Sequence, residues 1–424
     1  MANDFTSSEQ IFFEDVIAGF DSNNITARNV QLYEPGMQAV ERSGLTVRRP
    51  IPMIAETTTG RDVSSDYKDV LELTVPSTLA ESDIINHPFK LNAIELNDAT
   101  RRKRAARAAA QGLGAKIDTV TSERVINYGS LVATETGDFT DYDALAKGET
   151  ALMEREVNAM SDRCLVLNPR MARKMANELA SRATDNSRDR SAYERSMLPA
   201  VGGFETLKAN VLTAVSGSSS SGVTVNGANQ RKTPTVFDGT NTAAADNRYG
   251  TLTVSASHGL VAGDCFTIAG VYSIGMITKK STGQLQTFRV ISVATNDLTI
   301  SPAIIPADYT AGGTAFAKYG NVSTTPANSA AITVLNTDDA QPSIFWCKDA
   351  VEIFHGRLNL DDFAAGGVSV MKEVTDSGIE VYFLKSADID TLEVKYRLSC
   401  WAAPNVLEPQ MCGLYLPNQN AAFG

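Results

Sequence analysis

The residues best able to do chemistry in this 424-residue chain are three histidines and five cysteines. A histidine general base needs a nucleophile or an orienting carboxylate within hydrogen-bond reach. His87, His258 and His355 each stand alone in the sequence, and His258 precedes Gly259 in a turn signal, where a surface role is expected. Cys164, Cys265, Cys347, Cys400 and Cys412 form no CxxC pair. Their odd number, behind an N-terminus (Met1-Ala2-Asn3-Asp4) without a basic or apolar leader, points to reduced thiols, buried or indifferent, in a protein made in a cytoplasm. Zinc would require His and Cys at ligand spacing, and no such spacing occurs. The chain has no GxGxxG, no GxxxxGK[ST], no GxSxG and no HExxH. The expectation is a protein that is not an enzyme and carries no cofactor or metal.

One charged cluster remains, Arg101, Arg102, Lys103, Arg104 and Arg107. Phosphate binding needs clustered cations, yet consecutive charges wind around a helix, and no aromatics alternate with them. The net charge of −11 also argues against general nucleic-acid binding. A solvated or intersubunit face is expected. A site on an inner surface, touching DNA or an acidic partner, is the alternative.

The elements that carry these residues divide the chain. Its length implies roughly two or three domains. The 43% hydrophobic and 21% charged composition is that of a globular protein. No run approaches the roughly 18 apolar residues of a membrane span. Gln10–Phe20 reads as a short amphipathic helix, with Ile11, Phe12, Val16, Ile17 and Phe20 available for one face, and a second helix is expected from Ile25 to about Leu32. Leu45–Pro50 and Val70–Val75 read as two strands of a hairpin, with a polar tip, Glu56–Asp62, that is either a partner surface or a solvent loop. The strongest helical segment runs from Lys90 to about Val132, with a bend expected at Gly112 and Gly114.

Residues 141–210 alternate helix and strand. Asp141–Asn158 is a helix, Cys164–Leu167 a short buried strand, and Asn168 caps a helix that opens at Pro169. At Ser216–Gly222 the composition shifts to a Gly/Ser run of the flexible kind. Helical signals then vanish for over a hundred residues. Short alternating strands (Thr251–Val254, Cys265–Ile268, Phe288–Val293, Leu298–Ile300) indicate a small β-barrel or sandwich with long polar loops at Asp238–Arg248 and Thr278–Gln286. After Asp339 the mixed pattern resumes. Leu392–Leu398 alternates, with Leu392, Val394, Tyr396 and Leu398 on one face, and Val381–Leu384 is its expected partner strand. The β module therefore interrupts an α+β body and is tethered at both ends.

Several strings in this pattern resemble one family. Val223–Asn229, Asp246–Tyr249, Thr251–Ala256, Gly263-Asp264 with Phe266, and Ala269–Val271 resemble the inserted domain of P22-like phage coat proteins. Those proteins are a branch of the HK97-like capsid fold. Val334–Asn336, Asp339-Ala340, Phe345-Trp346 and Asp349-Ala350 resemble the re-entry into that family's core. Leu71–Val75 resembles the strand of its projecting hairpin, and Gly413–Pro417 its ending.

The resemblance implies an α+β shell subunit. Residues 1–44 would be the N-arm, 45–80 the E-loop, and 81–132 the P-domain with its spine helix. The A-domain would comprise 133–222 and 344–400, the inserted I-domain 223–343, and a C-terminal segment, 401–424, would return to the P-domain. It further implies that the loop containing Asp238, Asp246 and Arg248 reaches between capsomers. The E-loop tip with Glu56, Arg61 and Asp62 would reach a neighbouring subunit, and Arg101, Arg102 and Arg104 stay the candidate inner-surface cluster of the alternative reading above. The implied partners are further copies in hexamers and pentamers, a scaffolding protein, a portal protein and packaged double-stranded DNA in weak contact. A decoration protein is a further partner the resemblance allows, and no membrane is involved. An encapsulin-type shell protein and an adhesin with an Ig-like module are the competing readings.

Overall fold

The computed structural model describes residues 13, 16, 17, 20, 24–34, 45–54, 59–62, 64, 67, 72–156, 162–181, 198, 200–240, 245–307, 314–360, 368–375, 377–388 and 390–424. The fold is α+β and separates into two units. One comprises Met1–Val47, Thr78–Thr121 and Glu352–Asn405, the other Arg48–Ser77, Ser122–Val351 and Val406–Gly424.

In the first unit a helix packs on a sheet. The helix spans Ala99–Tyr128, shorter than the expected Lys90–Val132, and passes through Gly112 and Gly114 without interruption. Asp98 fixes its start, because the Oδ1 atom accepts the Thr100 N–H at 2.9 Å. Ahead of it, Ile84–Asn92 is a strand, paired residue for residue with residues 393–401 of the strand Glu393–Val406, some three hundred positions away. That pairing is non-local, so helix propensity alone could not reveal it. The sheet runs in the order Gln31–Tyr33, Val351–His355, Glu393–Val406, Glu380–Asp388, Ser369–Val374, with Ile84–Asn92 also against Glu393–Val406. The expected partnership of Val381–Leu384 holds, with Val381 opposite Cys400 and Phe383 opposite Leu398. Tyr396 and Leu398 face the core as expected, whereas Leu392 sits in the turn at φ 50° and is 68% exposed.

The core between helix and sheet contains Ala106, Ala109, Ala110, Leu113 and Ile117 against Val381, Phe383, Tyr396 and Leu398. Small residues at helical spacing let the helix lie close to the sheet. Phe13, Val16 and Phe20 join this core, while Ile11 and Phe12 lie outside the described residues. The second helix expected over Ile25–Leu32 does not form. A short 3-10 turn, Ala27–Asn29, leads instead into the strand Gln31–Tyr33, parallel to Val351–His355. Asp118 holds this turn in place, its carboxylate accepting from the Ile25 and Ala27 N–H groups and from the Thr26 hydroxyl at 2.7–3.0 Å.

The second unit contains a five-stranded sheet in the order Leu131–Thr134, Cys412–Leu416, Ser343–Cys347, Arg163–Leu167, Glu205–Lys208. Its middle strands are buried along their length, so they read as short apolar runs instead of alternating ones. Two helices, Tyr142–Arg155 and Pro169–Ser181, pack with it. Asn168 caps the latter as expected, with Oδ1 accepting from the Met171 N–H at 2.8 Å. The expected hairpin is present as Thr46–Pro50 against Thr74–Thr78, its second strand beginning later than predicted; Val70 and Leu71 lie outside the described residues.

The same unit holds the insert. Its sheet runs Ile332–Val334, Cys265–Ile274, Ser281–Ala294, Asp297–Ser301, Gly250–Thr253. Val225 bridges to Val254 at one edge, and Thr224 bridges to Ala331 at the other. One short segment thus joins both edges, which closes the sheet into a barrel and removes its open edges. Phe266, Phe288, Leu252, Leu298 and Ile300 fill the interior, all essentially inaccessible. The long loop expected at Thr278–Gln286 is instead mostly strand, and its hairpin turn is confined to Gly275–Lys280. The alternation needed to see this is broken by shifts in register around Leu285.

Candidate functional site

The predicted intercapsomer loop is anchored by two of its three charged residues. Arg248 grips Asp246 through two bonds, Nε to Oδ1 at 3.0 Å and Nη2 to Oδ2 at 2.8 Å. Its Nη1 donates to the Val406 carbonyl at 2.7 Å, and the guanidinium lies over the Tyr249 ring. Both side chains of the pair are largely buried, 11% and 17% exposed. Burial opposes the charge on Arg248, but the Asp246 bonds and neighbouring charges outweigh it and raise its pKa. Asn247 adds a second anchor, its amide bonded to Thr235 in both directions. Asp238 lies apart from them, exposed, and accepts from the Thr240 N–H and hydroxyl. Residues 241–244, between the two, lie outside the described residues.

Where the chain enters and leaves the insert, the Gly/Ser run expected to be flexible is instead tied down. Ser218 N–H donates to the Asn336 carbonyl at 2.7 Å, and Val215 pairs with Ala340 in both directions. Asp264, 2% exposed, is the hub. Its carboxylate accepts from the Ser218 hydroxyl, the Val261 N–H and the Asn336 amide at 2.8–3.0 Å. Asn336 in turn donates to the Ser216 carbonyl and accepts from the Cys265 N–H. A buried carboxylate with every bond made is stable and rigid. The composition of the run, Ser and Gly, gave no hint of the partners that order it.

A third attachment lies at the end of helix Tyr142–Arg155. Arg155 is 3% exposed and donates to the Gln286 and Gln410 side-chain oxygens. Burial pushes its pKa down to about 10. Glu156 follows at φ 65°, a left-handed conformation that a non-glycine residue rarely adopts. Its carboxylate accepts from the Ile277 N–H at 3.0 Å, the Thr278 N–H at 2.8 Å and the Thr278 hydroxyl at 2.7 Å. Burial alone would raise its pKa, but these donors and the Lys279 charge outweigh it and lower it. Beside the hairpin, Ile51, Ile54 and Leu73 pack with Met276, Phe316 and Tyr319 of the insert, and Arg48 lies 4.0 Å from the centre of the Phe237 ring. The sequence signal for this attachment is faint: a charged pair at a helix end, and glutamines in otherwise apolar strands.

The remaining predicted residues are scattered. Arg61 and Asp62 are exposed, and Glu56 lies outside the described residues. Asp62 accepts the Ser64 N–H, which holds its carboxyl below the ordinary value. Arg101 and Arg104 are exposed and Arg102 half-buried; Arg101 lies 3.6 Å from both Glu95 and Asp98. His258, expected at the surface, is 9% exposed. Its Nδ1 accepts the Leu260 N–H, so Nε2 carries the proton and donates to the Thr295 carbonyl at 2.9 Å, tying two turns of the insert together. The five cysteines are buried and form no disulfide. Among the described residues no group of three His, Cys, Asp or Glu side chains is placed to hold a metal, and no helix is long and apolar enough to cross a membrane.

The chain is similar to known proteins. The P22 coat protein (gene protein 5) family model matches residues 1–418. Among solved structures, the chain is similar to the CUS-3 coat protein I-domain at 50% identity, over 28% of this chain and 99% of that one, with a TM-score of 0.23. It is similar to a structure from Mycobacterium phage Che8 at 11% identity, over 92% and 90% of the two chains, with a TM-score of 0.44. It is also similar to the mature capsid of bacteriophage PhiM1 at 8% identity, over 93% and 86%, with a TM-score of 0.44. The family match extends over both units and the insert, and the chain therefore belongs to the P22 coat protein family, as the major capsid protein of a tailed phage.

Proposed function

We propose that this subunit, with an HK97-like fold, closes into an icosahedral shell of hexamers and pentamers, guided by a scaffolding protein and nucleated at a portal. The observation that carries the reading is the family match over residues 1–418. The shell forms as a precursor in the bacterial host cytoplasm and expands when DNA is packaged. Many modest contacts suit that process, because closure multiplies small energies while single errors stay reversible. The acidic chain, −11 overall, holds DNA only weakly. The subunit carries out no catalysis and takes no cofactor, and a decoration protein is a further partner on the outside.

The segments take the following parts in this proposal. Residues 1–44 form the N-arm, 45–80 the E-loop, 81–132 the P-domain, 133–222 with 344–400 the A-domain, 223–343 the I-domain, and 401–424 the C-terminal return. Within the intercapsomer loop, Asp238 is the contact residue, while Asp246 and Arg248 shape the loop that carries it. Arg61 and Asp62, with Glu56, meet a neighbouring subunit at the E-loop tip. Arg101, Arg102 and Arg104 lie on the inner surface.

The test is electron microscopy of the full-length chain produced with its scaffolding protein. Closed shells of uniform diameter are expected. A product that remains monomeric or forms only irregular aggregates would overturn the proposal.

A further inference from the structure

The insert is joined to the rest of its unit by two covalent connections, and two strands alone would leave it free to pivot. Glu156 and the turn Gly275–Thr278 limit that freedom, alongside the bonds of Arg155 to Gln286 and of Arg248 to Val406 and the packing of the hairpin. The carboxylate accepts all three available donors of the turn's tip, Ile277 N–H, Thr278 N–H and Thr278 hydroxyl. One residue earlier, the Arg155 carbonyl accepts the Met276 N–H at 3.1 Å. The turn is shaped for this partner. A Cβ at Gly275 would come 2.6 Å from the Glu156 Cδ, so a side chain there would push the carboxylate from its place. Glu156 itself holds φ 65°, a conformation with a steric cost for a residue that has a Cβ. None of these atoms belongs to the barrel's own apolar core, which is built from Val225, Leu252, Phe266, Phe288 and their neighbours.

From this geometry we infer that Glu156 is a positioning residue for shell assembly: it fixes the direction in which the insert points, without contributing to the insert's own folding. The inference rests on the reading of the chain as a shell subunit. Two copies whose inserts point differently present different surfaces to their neighbours, so a fixed insert is needed for every copy to make the same contacts. Breaking the clamp should therefore damage the uniformity of shells more than the stability of the chain.

The experiment uses the full-length chain with its scaffolding protein, in wild-type, Glu156→Ala, Glu156→Gln and Gly275→Ala forms. Gly275→Ala attacks the clamp from the turn while leaving Glu156 in place. Glu156→Gln retains an acceptor and should restore part of the effect. Hydrogen exchange should accelerate about tenfold at the Ile277 and Thr278 amides in Glu156→Ala. Amides within Cys265–Ile274 and Ser281–Ala294 should keep their protection. Microscopy of the same variants should show a several-fold smaller share of closed shells of uniform diameter in Glu156→Ala and Gly275→Ala. Uniform shells from both of these variants would overturn the inference. So would loss of protection across the barrel strands, because the clamp would then be part of the insert's fold. If the wild-type chain itself makes no shells, it is the function reading that fails.

Discussion

Arg248 and Asp246, two positions apart, form a fork-to-fork ion pair whose third arm, Arg248 Nη1, reaches the carbonyl of Val406 at 2.7 Å. The pair ties the base of the insert's long loop to the segment that re-enters the second unit. Arg248→Ala leaves a mostly buried carboxylate and an unpaired carbonyl, and should cost about 2–3 kcal/mol of stability in the unassembled chain. Denaturant unfolding of the monomer measures this. An unchanged monomer with weakened shells would mean that Arg248 acts between subunits instead.

His355 gives the first unit a dependence on pH. It is 2% exposed, and its Nε2 accepts the Glu380 N–H at 2.9 Å, which requires the neutral ring. Burial lowers its pKa below 6.5; Glu380 and Glu34 pull the other way, and Arg357 adds to the lowering. A histidine with a depressed folded pKa stabilises the fold above its unfolded value, and that contribution is lost as pH falls below about 6.5, at no more than about 1.4 kcal/mol per pH unit. Hydrogen exchange of Glu380–Asp388 at pH 7.5 and 5.5 should show greater loss of protection in wild type than in His355→Gln. Equal losses would refute the assignment.

Gly148 lies mid-helix in Tyr142–Arg155, where Ala would ordinarily gain about 1 kcal/mol. Here a Cβ would run into the Tyr415 ring and hydroxyl and approach Phe345. Gly148→Ala should therefore destabilise the second unit by about 1–3 kcal/mol, as overpacking does. A rise in thermal midpoint would show that the helix can shift away from the sheet.

These cases show what the residues reveal on their own. The barrel was legible because its strands alternate and its turns carry Gly, Asn and Asp, and the Glu393–Val406 strand because charges and apolar residues alternate along it. The long helix was legible in kind but not in extent, since the Ile84–Asn92 strand depends on a partner some three hundred residues away. The clamp at Glu156 and the hub at Asp264 were illegible, because a lone carboxylate acquires meaning only from backbone N–H groups that folding brings to it. The same holds for His258, whose turn looks like surface until Thr295 closes over it.

The cysteines should be inert in the native chain. Burial raises the Cys164 and Cys400 thiols to about 12, and Cys412 well above its ordinary value. Since the thiolate is the reactive form, maleimide at pH 7 should label the folded protein slowly and all five positions after denaturation. Rapid native labelling at any of them would indicate local opening.

Deleting 223–343 should yield chains that misfold or aggregate. Removal strips Arg155 of Gln286, exposes Ile51, Ile54 and Leu73, and leaves Arg248's partner Val406 uncovered. Size-exclusion chromatography of the deletion variant checks this, and a soluble, assembly-competent product would contradict it.

A cryo-EM reconstruction of particles formed by the full-length chain and its scaffolding protein decides whether the chain is a shell subunit carrying a docked barrel. Closed icosahedral shells are expected, in which every subunit shows a resolved barrel with Glu156 against Thr278. Shells in which the barrel density is smeared or differently oriented from copy to copy, or an absence of closed shells, would contradict it.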